Sequence, residues 1–411
     1  MERPANHLLA SPPNHQQFML RTLESGTDLL VDDFGLPRFW AAAWNTLHGG
    51  SLAPSTLRTT LRDIDALYQH TANLGGDLDD ALANIDYEVL HNALGSFFAT
   101  ISNAPVQTNG GITKWNTAFH FVKQTGEFLE KNPETANQMS DIRARMSRLD
   151  NLYLGLRPYK KRVTAQIRAI PRAVLLELLD AVMVGSPTNP FEYEETQSRV
   201  LCVFTLMLFQ GLRQGEMLLL PADFLKSEFD TRRGSRRRYM SVRTDESEDD
   251  KRHSKPSIKT PQSIRTIPVT EQSAEVLLTY SDNYRGEVNH KFFLSSMHRK
   301  PLSKEGVAKI MQKLTTALSQ EARTQLLDLT GAKNVTAQAL RHTAAVVRMK
   351  QWLAAGKTLE QAMAKMRIVF GWSKNSTMPL HYAKAALDER LNDSWNEQLD
   401  DRLSMLRILP E

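Results

Sequence analysis

The sequence predicts a mainly α chain with a small β-sheet, arranged as a helical domain followed by a mixed α/β domain. Apolar residues recur at three- and four-residue spacing in many segments, as at Leu57, Leu61, Ile64, Leu67 and Tyr68, the period of one helix face. Only 239–243 and 264–269 alternate as strands do. A length of 411 residues exceeds one ordinary domain. The charge divides accordingly: residues 1–150 hold 11 Lys/Arg against 17 Asp/Glu, net −6, and the remainder 40 against 29, net +11.

Taken in order, 1–50 is an N-terminal extension in which Phe34-Gly35-Leu36-Pro37 interrupts any helix and Phe39, Trp40 and Trp44 pack as an amphipathic turn. Residues 51–150 form a helical bundle. Ser55 reads as an N-cap, and further helices follow over 79–84, 87–101, 114–131 and 133–149. Its acidic balance would be unusual for a domain that binds a polyanion. A local face of Lys114, Lys123, Arg143, Arg145 and Arg148 would serve phosphate contact or structure equally well.

Residues 151–172 form a basic linker, with Arg157, Lys160, Lys161, Arg162, Arg168 and Arg172 and no acid. Such a stripe fits a polyanion, since each phosphate neutralised releases counterions, and it fits a solvated linker as well. Helices are then expected over 173–184 and 198–208, the second a core helix in which Cys202 is a buried structural thiol. It breaks at Gln210-Gly211-Leu212-Arg213. The two strands flank a polar loop that ends at Lys259, which the second strand holds in place. Helices resume over 270–280, 303–318, 337–353 and 359–370. In 386–411, Leu387, Leu391, Trp395, Leu399 and Leu403 mark an amphipathic helix that packs on its own domain or on a neighbouring subunit.

One cysteine allows neither a disulfide framework nor a cysteine-rich metal site and is compatible with a reducing cytoplasm. Residues 1–13 lack the continuous apolar stretch of a signal peptide, and no membrane partner is expected.

The chemistry-bearing residues fall in short clusters. Breaking a phosphodiester without a metal needs an attacking oxygen, donors for the charge on the non-bridging oxygens and a proton for the departing 5′ oxygen. Tyr382 can supply the first, Arg213 and Arg341 the second and Lys259 the third. Arginine matches phosphate with paired donors and keeps its charge; lysine becomes a better acid when desolvated near other cations. Each residue alone has a plainer reading: Arg213 paired with Glu216 at a helix end, Trp372 and Tyr382 as core aromatics.

Over about 170–385 the sequence resembles the tyrosine recombinase, or phage integrase, family. Gly211-Leu212-Arg213-Gln214-Gly215-Glu216-Met217 is similar to the family's Gly-Leu-Arg-x-x-Glu-Leu box, and Lys259 to its β-hairpin lysine. Gln338-Ala339-Leu340-Arg341-His342-Thr343 is similar to its His-x-Leu-Arg-His-Thr box. Gly371-Trp372 resembles its Gly-His/Trp element, and Tyr382 falls where the nucleophile is expected. The chain departs at Gln338, where the family usually has a histidine thought to help move the tyrosine proton. Glutamine cannot accept that proton, but it can bond a non-bridging oxygen or orient Tyr382. Altered rather than abolished chemistry is expected. His342 and His381 are candidate substitutes, His342 being read as packed or hydrogen-bonded inside the fold.

The resemblance implies a core-binding domain at 51–150 and a catalytic domain at 173–385, closing on duplex DNA as a C-shaped clamp. It implies a site of Arg213, Lys259, Gln338, Arg341, Trp372 and Tyr382, a 3′-phosphotyrosyl intermediate, and no cofactor, metal or ATP. It further implies a tetramer on two DNA sites, with accessory proteins as further partners and the nucleoid as the cytoplasmic location. A relaxing enzyme of the type IB topoisomerase kind and a DNA-binding protein that has lost cleavage are the alternatives.

Overall fold

The computed structural model describes residues 20–22, 28–104, 109–130, 139–153, 155–156, 169–231, 234–243, 250–252, 254–258 and 260–387. The basic residues Arg157, Lys160, Lys161, Arg162 and Arg168, the hairpin residue Lys259 and the amphipathic stretch beyond 387 lie outside them. The chain is mainly α with a three-stranded antiparallel sheet and divides into two compact units, Met1–Thr164 and Ala165–Glu411. No helix among the described residues is long and apolar enough to cross a membrane.

The first unit contains β1 (Leu20–Thr22) paired antiparallel with β2 (Asp28–Leu30), followed by α1 (Phe39–His48), α2 (Pro54–Asn73), α3 (Leu78–Asn84), α4 (Tyr87–Ser102), α5 (Asn109–Glu130) and α6 (Met139–Tyr153). Two sequence expectations are corrected. The aromatic stretch at Phe39–Trp44 is a full helix, and Trp40 and Trp44 belong to the same core as Leu67, Leu94, Trp115 and Phe121. Helix α2 begins at Pro54, with Ala53 rather than Ser55 at the N-cap; proline tolerates that first position because its missing N–H would have had no helical partner. Asp77 and Asp86 cap α3 and α4. Lys123 pairs with Asp150 at 2.8 Å and Arg145 donates to the Ile85 carbonyl, so these two cations tie the bundle together.

In the second unit, α7 (Arg172–Val182) and α8 (Glu194–Phe204) pack in a core with the sheet. Buried Cys202 lies in it, its thiol against the Val276 carbonyl and pushed well above its ordinary pKa by burial. Helix α8 widens at Thr205–Phe209, where the Gln210 N–H reaches back five residues to the Thr205 carbonyl. Such widened turns recur at functional sites; this one delivers Gly211 and Arg213 to the start of α9 (Gln214–Leu218). The sheet has the order β3 (Leu225–Asp230), β4 (Ser235–Val242), β5 (Arg265–Val269), with β5 an edge that tolerates Pro268. Strand β3 was not expected from the sequence. Helices α10 (Glu271–Thr279), α11 (Lys304–Ala317), α12 (Gln320–Thr330), α13 (Ala337–Ala354) and α14 (Leu359–Phe370) follow, then a helical run over 378–387. The last three pack as a separate apolar cluster containing Met349, Met366, Phe370, Trp372 and Tyr382.

Candidate active site

Glu216 is the centre of the arrangement. It lies in the first turn of α9, where its carboxylate reaches back to the Arg213 N–H at 2.9 Å, a contact that satisfies one free donor at the helix start. The same carboxylate, 1% exposed, takes Arg213 at 2.6 Å and Arg265 at 3.0 Å, with Arg341 at 3.6 Å. Burial alone would raise the Glu216 pKa, but the charges of Arg265 and Arg341, with hydrogen bonds from the Arg265 side chain and the Arg213 N–H, hold it below the ordinary 4.5.

The three guanidinium groups differ in access. Arg341, from the first turns of α13, is 2% exposed and donates to the Gly211 and Phe370 carbonyls, its charge lying 5.1 Å from the Phe370 ring centre and 5.6 Å from that of Trp372. Burial pulls it down to about 9, with Glu216 opposing, so it remains charged at neutral pH. Arg265, on β5, donates to the Ser263 and Val369 carbonyls and is 6% exposed. Arg213 is the most open at 21%. It donates to Ser263 Oγ at 3.0 Å and to the Gly371 carbonyl at 3.2 and 3.3 Å. Gly371 ends α14 with φ +60, and a Cβ there would meet Ser263 Cα at 3.0 Å; only glycine permits this turn and this approach.

Tyr382 sits on the 378–387 helical run, 1% exposed. Its ring stacks on Trp372 (5.3 Å, 15°), which stacks in turn on Phe370 (5.0 Å, 13°). Stacking on Trp372, itself held by Phe370, leaves the phenol ring little rotational freedom. The hydroxyl lies 2.5 Å from His342 Nδ1, and His342 Nε2 lies 3.2 Å from the Gln338 amide. Burial pushes Tyr382 up to about 12, against the opposite pull of Arg341 and Arg213. Burial, with Arg341 second, holds His342 below 6.5 and therefore neutral at pH 7.

The structure thus brings Arg213, Arg341, Trp372, Tyr382 and, through His342, Gln338 into one cluster. The Arg213–Glu216 pair is present, yet it is part of this cluster rather than an isolated helix-end contact. Lys259 is outside the described residues; Thr260, which follows it, lies 3.2 Å from Ser263 Oγ, the group that accepts from Arg213. His342 does hydrogen-bond within the fold, but its partner is Tyr382, whereas His381 is exposed. Sequence reasoning missed Glu216 as a shared counter-ion and missed Arg265 and Ser263. The signal for Arg265 was its place in the alternating strand directly after Lys259. Three guanidinium groups against the one carboxylate of Glu216 leave an excess of positive charge, which acts on the nearby Tyr382 phenol.

Neither a family model nor a curated protein matches the sequence. Solved structures do show similarity. The crystal structure of XerA recombinase is 12% identical over 87% of this chain and 98% of its own, with a TM-score of 0.37. XerH site-specific recombinase bound to difH substrate in a pre-cleavage complex is 12% identical over 79% of this chain and 75% of its own, with a TM-score of 0.43. XerH bound to palindromic difH in a post-cleavage complex is 12% identical over 75% and 96%, with a TM-score of 0.38.

Proposed function

We propose that this protein is a site-specific DNA recombinase of the integrase or transposase type, with Tyr382 as its nucleophile. The observation that carries this reading is the meeting of Arg213 and Arg341 on one buried carboxylate, 2.6 and 3.6 Å from Glu216, with the charge of both acting on the Tyr382 phenol. Guanidinium groups gathered this closely offer donors to the non-bridging oxygens of a single phosphate.

In the proposed reaction Tyr382 Oη attacks the phosphorus and the bond to the 5′ oxygen breaks, leaving a 3′-phosphotyrosyl link. Lys259 supplies the proton that makes the 5′ oxygen a hydroxyl, and the Trp372 indole N–H is a further donor to the phosphate. The 5′ hydroxyl of another strand then reverses the step. The covalent link conserves the phosphodiester's energy, so the cycle draws on neither ATP nor a metal. The helical domain and the catalytic domain would both contact the duplex, with Arg157, Lys160, Lys161, Arg162 and Arg168 on its phosphates. Exchange between two duplexes would take four copies.

The test is incubation with a randomised pool of nicked duplexes, which trap the covalent intermediate because the cleaved fragment diffuses away. Denaturing gels should show protein–DNA adduct from the wild type and none from Tyr382→Phe. Adduct that survives that substitution, or a wild type that forms none across the pool, sinks the reading.

A further inference from the structure

One proton of this reaction has no taker among the residues assigned so far, the one on Tyr382. Burial keeps the phenol neutral until attack, and at 1% exposure solvent is a poor acceptor for it. Among the described residues its hydroxyl has a single hydrogen-bond partner, His342 Nδ1 at 2.5 Å.

Two proton arrangements satisfy the Gln338–His342–Tyr382 chain, because rotating the Gln338 amide exchanges its oxygen and nitrogen. In one, the Gln338 NH2 donates to His342 Nε2 and Nδ1–H donates to the phenol oxygen. The phenol proton is then left without an acceptor in a buried position, which is unfavourable. In the other, Nε2–H donates to the Gln338 oxygen and the phenol donates to a bare Nδ1, so every proton is paired. Gln338 and His342 are four residues apart on α13, on one helix face, so the chain is already assembled before DNA arrives.

We infer that His342 is the catalytic base, its Nδ1 taking the Tyr382 proton, and that Gln338 is a positioning residue whose amide oxygen holds the imidazole in the tautomer that leaves Nδ1 bare. The inference rests on the proposed function and assigns its missing step. As the Tyr382 oxygen bonds to phosphorus, its O–H breaks and Nδ1–H forms. The bond from phosphorus to the 5′ oxygen breaks, and that oxygen takes its proton from Lys259. The imidazolium, with both nitrogens protonated, keeps its Nε2–H on Gln338 and returns the Nδ1 proton to Tyr382 when the strand rejoins. His342 is neutral at pH 7 because burial and neighbouring Arg341 disfavour its charged form. The groups facing it are Gln338 and Arg341 from α13 and Tyr382 from the last helical run, with Arg213 acting on the last two.

Two measurements test this. In the DNA-free protein, long-range proton–nitrogen correlation on 15N-histidine label, with His342→Asn identifying the signal among the 11 histidines, should show Nε2 protonated and Nδ1 bare. The opposite tautomer overturns the inference and leaves the proposed function standing. In single-turnover adduct assays, His342→Asn should slow cleavage by roughly 10²-fold or more and remove the fall in rate on the acid side. Gln338→Leu should slow it less and keep that acid limb. Gln338→Glu should move the limb to higher pH, because a carboxylate on Nε2 raises the imidazole pKa. A merely structural glutamine would not move the limb. Tyr382-dependent adduct at the wild-type rate in His342→Asn overturns the inference alone; no Tyr382-dependent adduct from the wild type overturns both it and the proposed function.

Discussion

The two units treat buried charge in opposite ways. Among the described residues the buried charged side chains of the first unit are all acids, Asp28, Asp63 and Asp65, whereas those of the second are Arg199, Arg252, Arg341 and Glu216. Asp28 is answered by Arg58 at 2.6 Å. Among the described residues Asp65 accepts from the Gln69 amide at 2.7 Å, and burial raises it to about 6 against the charge of Arg38, with Asp33 adding to the rise. A carboxylate left without a counter-charge can take a proton and become neutral. The guanidinium groups around Glu216 have no such escape, since even Arg341 stays charged at neutral pH. An excess of buried acid therefore relaxes by itself, while an excess of buried arginine persists until an anion binds. That difference is why the proposed function places its phosphate in the second unit.

The sharpest way to break this comparison is to remove its one anion. Glu216→Gln keeps the shape but leaves Arg265 and Arg341 buried without a charge to answer them. Uncoupling a buried pair in this way is expected to cost about 3–5 kcal/mol, read as a lower denaturant midpoint. The wild-type pH dependence follows from the same group. Its folded pKa lies below 4.5, so its contribution is complete above 4.5 and is lost as pH falls through the folded value. Glu216→Gln should therefore flatten the acid slope of stability in the second unit. An unchanged slope would show that Glu216 is not the group holding the arginines.

Arg213→Ala is the next largest. Because Arg213 is the most exposed of the three and Arg265 and Arg341 still satisfy Glu216, the fold should persist while cleavage loses one donor to the developing charge. A fall in adduct formation of roughly 10²–10³-fold is expected, with a near-native circular dichroism spectrum. A fall below 10-fold would mean that the most accessible cation of the cluster is not a phosphate donor.

What the sequence revealed and what it hid divide along the same line. Arg213, Arg341, Trp372 and Tyr382 could be picked out because short local patterns surround them, and the long helices could be read from their apolar period. Arg265 and Ser263 could not be assigned roles, and Glu216 only as a partner of Arg213, because the rest of their meaning lies in contacts between residues far apart in the chain: Arg265 to Glu216, and Arg213 to Ser263 and Gly371. Periodicity carries no trace of such pairings. His342 was read as a fold residue because a histidine four residues after a glutamine has many plain uses, and only the arrival of Tyr382 from another helix changes that. Strand β3 was hidden for a local reason: Leu-Lys-Ser-Glu-Phe-Asp has no β-branched residue, and it is a strand because it pairs with β4 along its whole length.

The smallest expected effect sharpens the contrast from the other side. Asp65 has a folded pKa raised from 3.8 to about 6. The sign is therefore the reverse of that for Glu216: its contribution is complete below 3.8 and is lost as pH rises through about 6. At pH 7.5 the buried carboxylate is ionised at the expense of folding. Asp65→Asn, which removes the charge and keeps an acceptor for Gln69, should stabilise the first unit there by up to about 3 kcal/mol, the equivalent of the shift in free energy, and change little near pH 4. Hydrogen exchange along the full chain resolves the two units separately, so the gain should appear in α2 and its neighbours and leave α9 and α13 unchanged. Stabilisation of equal size at both pH values would mean that Asp65 is not titrating, and that buried acid in the first unit is held as charge, as buried arginine is in the second.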